Sequence, residues 1–184
     1  MIFLSASIPT PGREFYGTED IVAIREAVMA FTKVCMEKRL PFYFGGHPAI
    51  TPLVWEVAKD YLQDECKTLI RIYQSSWFLG KTPKEVEFFN NVVWTDLKED
   101  ITSSVIFMRN QMFQENETEI AVFIGGMGGI KDEYKKIKDY YPKVKILPIA
   151  TTGAASESLY RELGMNNPDL SDNYSYVSIF RKYL

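Results

Sequence analysis

Cysteine and histidine are scarce in this sequence, which has two cysteines and one histidine among 184 residues. A disulfide framework or a zinc site needs more of these residues, so we predict neither and expect Cys35 and Cys66 to be small buried side chains. No apolar run approaches the roughly 18 residues that span a membrane. The apolar start, residues 1–4, is too short for a signal peptide. The sequence therefore predicts a cytoplasmic protein that does not enter a membrane.

Concentrated charge of one sign is missing as well. The net charge is −3, and the charges are spread without any block of about five of one sign. Because nucleic-acid binders rely on a basic surface, this distribution argues against nucleic acid as the partner. What the chain does have is apolar material, 46% of all residues. That is enough for one well-filled core, and we predict a single domain over residues 1–184.

Five short apolar runs recur along the chain without strict alternation of apolar and polar residues. Runs of this kind are typical of strands that are buried on both faces of a parallel sheet. They cover residues 2–4, 40–44, 68–73, 120–124 and 144–149.

Stretches with helical periodicity separate these runs. One opens with Thr18 as a cap and extends to about residue 38, and another has Pro52 in its first turn and ends near Asp64. Two more cover 100–114 and 129–140, whereas 74–96 is irregular with a short helical turn at 84–90. The alternation predicts a doubly wound, Rossmann-like open parallel sheet of at least five strands with helices on both faces. The tail, 166–184, is left open as a final strand, a helix or a subunit surface.

Small and polar residues follow each predicted strand. In open α/β sheets, ligands bind beyond the carboxyl ends of the strands, so these turns predict a site at one edge of the sheet. The turns are Ser5-Ala6-Ser7, Gly45-Gly46-His47, Gln74-Ser75-Ser76, Gly125-Gly126-Met127-Gly128-Gly129 and Thr151-Thr152-Gly153.

The turn at 125–129 gives the strongest signal for a ligand. Four glycines between a buried strand and a helix let the backbone approach an anion, toward which the helix N–H groups then point. We therefore predict that Gly125, Gly126, Met127, Gly128 and Gly129 bind a phosphate group. The alternative is that the glycines only form a tight turn with close helix packing.

Four polar residues near these turns have two interpretations each. His47 either donates a hydrogen bond to a ligand or bonds to its own loop. Arg109, in an otherwise apolar helix, either reaches solvent or pairs with an anion in the cleft. Asp132 and Glu133 are candidate catalytic carboxylates, although acidic residues are favoured in a first helical turn by the helix dipole alone.

Several segments resemble the SLOG superfamily of Rossmann-like domains, which includes the LOG phosphoribohydrolases and the DprA proteins. Residues 3–7 look like the signature of its first strand, and 44–52 look like the glycine-rich turn of stand-alone or effector-linked SLOG domains. Met108-Arg109 and 124–132 resemble the catalytic arginine of LOG enzymes and their Pro-Gly-Gly-x-Gly-Thr-x-x-Glu loop.

The chain departs from the LOG pattern at three positions of that loop. Ile124 replaces the proline, Gly129 the threonine and Asp132 the catalytic glutamate, and Glu133 is one residue further on. A shortened or displaced carboxylate weakens the case for glycoside hydrolysis, which needs that group at a fixed reach.

The resemblance implies a sensor of a nucleotide-derived molecule, nucleotide-like or ADP-ribose-like, of the type found in bacterial anti-phage systems. Ser5, Ala6, Ser7, the glycine-rich turn and Arg109 would bind its phosphates, without a cofactor. The alternative is a LOG-like hydrolase of nucleoside 5′-monophosphates that uses Arg109 with Asp132 or Glu133. A third hypothesis is an interaction subunit with an empty cleft. We also expect an effector protein as a partner. A homodimer or larger assembly is expected as well, because one helix offers an apolar face with residues such as Val105, Ile106, Met108, Met112 and Phe113.

Overall fold

A computed structural model describes residues 1–61 and 68–184. Six strands form one parallel sheet in the order β4-β3-β2-β1-β5-β6. The predicted end of the second helix near Asp64 and the predicted burial of Cys66 lie outside the described residues. The strands are β1 (Ile2–Ser7), β2 (Phe42–Gly45), β3 (Ile70–Ser75), β4 (Val92–Thr95), β5 (Ile120–Gly125) and β6 (Lys145–Ile149).

Seven α-helices and three 3₁₀ turns connect or follow these strands in the described part of the chain. The 3₁₀ turns are Ser76–Phe78, Lys84–Phe88 and Ala150–Thr152. The helices are α1 (Ile21–Glu37), α2 (Thr51–Ala58), α3 (Ile101–Gln114), α4 (Gly129–Tyr140), α5 (Ala154–Glu162), α6 (Pro168–Ser171) and α7 (Tyr176–Tyr183). None of them is long and apolar enough to cross a membrane.

Alternate residues of each strand point to opposite faces of the sheet, and both faces are covered. In β1, Leu4 packs among the apolar residues of α1, α2 and α7, whereas Phe3 packs among those of α3, α4 and α5. Burial on both faces explains why the strands are apolar without alternation. The predicted Rossmann-like architecture is confirmed.

The structure corrects two predictions made from the sequence and decides a third that was left open. Asp20, rather than Thr18, caps α1 by accepting a hydrogen bond from the Ala23 N–H. Strand β4 lies in the region interpreted as irregular, because it is a short edge strand and is only partly buried. The tail forms α6 and α7, and Phe180 packs edge-to-face on Phe31 of α1, with 5.5 Å between the ring centroids.

The apolar face proposed for subunit contact is mostly used inside the domain. Met108, Met112 and Phe113 belong to the core between α3 and the sheet, where Phe113 packs on Phe3. Among the five residues named for that face, only Ile106 is classed as exposed, at 43%. This face is therefore no argument for a dimer.

Candidate functional site

A cleft of about 390 Å³ opens at the carboxyl edge of the sheet. Its walls come from the ends of β1, β2 and β3, from α3 and from the turn that leads into α4. This volume lies within the roughly 300–1,000 Å³ of small-molecule sites. Of the predicted site residues, those that line the cleft are Ser5, Ala6, Ser7, Gly45, Gly46, His47, Arg109, Met127, Gly129 and Glu133.

The remaining predicted residues lie just outside this lining. Gly125 and Gly126 form the bend at the end of β5, and Gly128 lies against the carboxylate of Glu14 in the loop after β1. The turn at 151–153 holds the start of the glycine-rich turn in place, since Thr152 Oγ1 accepts a hydrogen bond of 2.8 Å from the Gly125 N–H.

The glycine-rich turn presents free backbone donors at the start of α4. The Gly126 N–H is engaged, because it donates to the Ser7 carbonyl at 2.8 Å. The N–H groups of Met127, Gly128 and Gly129 donate to no group in the described residues. Free N–H groups at a helix N-terminus form a site for an anion.

Two of these glycines leave room for neighbouring side chains. Gly126 has φ +94°, and a Cβ there would collide with the side chain of Ile130. At Gly129 a Cβ would lie 2.5 Å from Arg109 Nη2. Gly129, which stands where LOG enzymes have threonine, therefore gives the guanidinium of Arg109 room to lie against the first turn of α4.

Arg109 forms an ion pair with Glu133 in the cleft. Its Nε donates to Glu133 Oε1 at 2.9 Å, and the two side chains are only 17% and 15% exposed. The second carboxylate oxygen of Glu133 accepts a hydrogen bond of 2.5 Å from the Ser5 hydroxyl. The structure thus brings together three predicted residues from β1, α3 and α4 around one carboxylate.

Asp132 takes a different position from its neighbour. Its side chain is 64% exposed, and its Oδ2 is 3.9 Å from Arg109 Nη1. The carboxylate that lines the cleft is therefore that of Glu133, not that of the residue that aligns with the LOG glutamate.

His47 lies in the cleft wall as a neutral donor. Burial lowers the pKa of His47 to about 4, so the ring carries no charge near neutral pH. Its Nδ1 accepts a hydrogen bond of 3.2 Å from the Ala49 N–H, which leaves the proton on Nε2. His47 therefore bonds to its own loop, while its Nε2–H donates to no group in the described residues.

The sequence patterns missed two charged residues that line the cleft. Arg13 enters from the loop between β1 and α1, and Lys81 comes, together with Phe78, from the segment after β3. Segments that follow strand ends line ligand sites in this architecture, and that position would have pointed to Lys81. Arg13 lies six residues beyond β1 in an exposed loop, which no pattern assigns to the cleft.

A comparison with protein families identifies the chain. The model of the SLOG cluster3 family matches residues 14–184, nearly the whole chain. The chain belongs to the SLOG cluster3 family. This confirms the resemblance to the SLOG superfamily and makes the protein a Rossmann-like domain of a nucleotide-related group. No curated protein matches the chain.

Proposed function

We propose that this SLOG domain is a sensor that binds a nucleotide-derived small molecule, nucleotide-like or ADP-ribose-like, with a phosphate on the glycine-rich turn. The N–H groups of Met127, Gly128 and Gly129 carry the proposal, because they donate to no group in the described residues and free donors at the N-terminus of a helix attract an anion.

The counter-charge for such a phosphate comes from the rim of the cleft. Arg109 is already paired with Glu133, so it offers little free positive charge. Arg13 and Lys81 line the cleft and are exposed, and their side chains form no ion pair within the described residues. We infer that they attract the phosphates and that Arg109 orients the carboxylate.

Calorimetric titration with AMP, ADP and ADP-ribose tests this binding. Replacing Arg13 or Lys81 by Ala should weaken the affinity about tenfold, the scale of one charge-assisted hydrogen bond. Lys143→Ala, exposed at the opposite edge of the sheet near the start of β6, is the matched control and should change nothing. Equal losses in all three variants would refute a phosphate site at this cleft.

A second function is favoured by one observation, the contact of Glu133 with both Arg109 and Ser5 inside the cleft. A held carboxylate of this kind can stabilise an oxocarbenium ion or activate water, as hydrolysis of a nucleoside 5′-monophosphate requires. Release of free base by the wild type, lost in Glu133→Gln and kept in Asp132→Asn, would establish the hydrolase and displace the sensor.

A proposal on the setting of the sensor is motivated by its family. We propose that it works in the cytoplasm as a homodimer or larger assembly, and that an effector protein of an anti-phage system reads its ligand-bound state. Co-purification of the chain with such an effector only when the ligand is present would support this role.

A further inference from the structure

Gln74, at the end of β3, has a side-chain amide that is open to the cleft and has no protein partner. The residue is 2% exposed and lines the cleft. Its backbone carbonyl accepts from the Thr95 hydroxyl at 3.5 Å, but its side-chain amide bonds to no group in the described residues. Neither amide atom is among the buried side-chain atoms that lack a partner, so the amide reaches the space of the cleft that it lines. The amide therefore has capacity for one donor and one acceptor of a ligand.

Gln74 lies against Gly46 in a cleft that apolar side chains also line. Gly46 leaves the space that the amide occupies, since a Cβ there would collide with it. Phe78, Pro83 and Met108 line the same cleft, as do Lys81 and Thr82. An amide in a cleft with aromatic and apolar side chains suits a flat ring with a hydrogen-bonding edge.

The sheet order sets the distance from Gln74 to the glycine-rich turn. Strand β3 is three positions from β5 in the order β3-β2-β1-β5. At about 4.8 Å per strand this separates the two ends of the cleft by roughly 14 Å. That span allows a phosphate at one end and a base at the other, with a ribose over Ser5 and Gly45 between them.

From this arrangement we infer that Gln74 is a specificity-determining residue that reads the hydrogen-bonding edge of a nucleobase. The inference rests on the proposed function, because it assigns the other end of the same ligand. A carboxamide forms paired hydrogen bonds with a base that presents a donor beside an acceptor, as glutamine does with adenine.

The test compares ligands with and without a base. The affinities of AMP, GMP, CMP, UMP and ribose 5-phosphate are measured by calorimetry on the wild type and on Gln74→Met, which keeps the side-chain volume and removes the amide. The wild type should prefer one nucleotide over ribose 5-phosphate by about tenfold or more. Gln74→Met should lose that preference and bind ribose 5-phosphate unchanged. Gln114→Met, exposed at the end of α3, is the control.

Two results would overturn the inference and leave the proposed function intact. One is a wild type that binds ribose 5-phosphate as tightly as every nucleotide, which needs no variant to observe. The other is a Gln74→Met protein, with its unfolding temperature near that of the wild type, that keeps the wild-type ranking of bases. If none of these five phosphates binds, and ADP and ADP-ribose do not bind either, the proposed function fails together with the inference.

Discussion

The neighbouring carboxylates Asp132 and Glu133 should respond very differently to loss of charge. Glu133→Gln removes an ion pair in which both side chains are less than one fifth exposed, at 15% and 17%, and leaves Arg109 without its partner. Hydrogen bonds to charged groups contribute roughly 1.5–3 kcal/mol, and the residual exposure places the loss near the middle, at about 2 kcal/mol. Asp132 is 64% exposed and 3.9 Å from Arg109, so Asp132→Asn should cost less than about 0.5 kcal/mol.

Thermal and urea unfolding measure this difference directly. For a chain of this length, 2 kcal/mol corresponds to a fall in the unfolding temperature of about 4–8 °C, against less than about 2 °C for Asp132→Asn. A double-mutant cycle with Arg109→Gln should give a coupling energy of about 1–2 kcal/mol for Glu133 and close to zero for Asp132. Equal destabilisation by the two variants, or stronger coupling to Asp132, would refute the assignment of the buried carboxylate.

Three further predictions concern pH, the glycines and assembly. Burial holds the pKa of His47 near 4, against 6.5 ordinarily, so the unfolded state binds more protons than the folded state below pH 6.5. The free energy of unfolding should therefore fall by up to roughly 3 kcal/mol as the pH is lowered to 4. His47→Asn should remove this contribution to the pH dependence, which urea unfolding at a series of pH values measures. In urea unfolding, Gly129→Thr should displace Arg109 from Glu133 and cost up to about 2 kcal/mol, the loss expected for that ion pair. Gly126→Ala should also destabilise the fold by about 2 kcal/mol, because of its positive φ and the clash with Ile130. Light scattering should give at least twice the 21.2 kDa of one chain, and a monomer at micromolar concentration would contradict the proposed homodimer.

The architecture could be predicted from the sequence because its signal is local. Five of the six strands are apolar runs, and burial on both faces makes them visible without knowledge of their neighbours. The exceptions are short elements whose character depends on position. Strand β4 is partly exposed at the edge of the sheet, and α5 places its one large apolar residue, Leu159, in the core. Neither β4 nor α5 has enough apolar residues at regular spacing to be recognised from the sequence.

The contacts between side chains in the cleft could not be predicted from the sequence, because they join segments that are distant along the chain. Gln74 was noted only as part of a polar turn. What distinguishes it is an amide without a partner against Gly46, and that follows from the pairing of β2 with β3. Arg13 likewise reaches the cleft through the path of the loop after β1.

The choice between Asp132 and Glu133 depends on contacts that a sequence motif does not contain. Helix α4 begins at Gly129, as the periodicity predicted, and residues three and four positions further on both lie near the face of that residue. The start of the helix therefore does not separate the two carboxylates. What separates them is that Arg109 and Ser5 both bond to Glu133, whereas Asp132 is 64% exposed. An alignment to the LOG motif counts residues and selects Asp132. Because Arg109 and Ser5 come from distant segments of the chain, the carboxylate in the cleft could be assigned only from the structure.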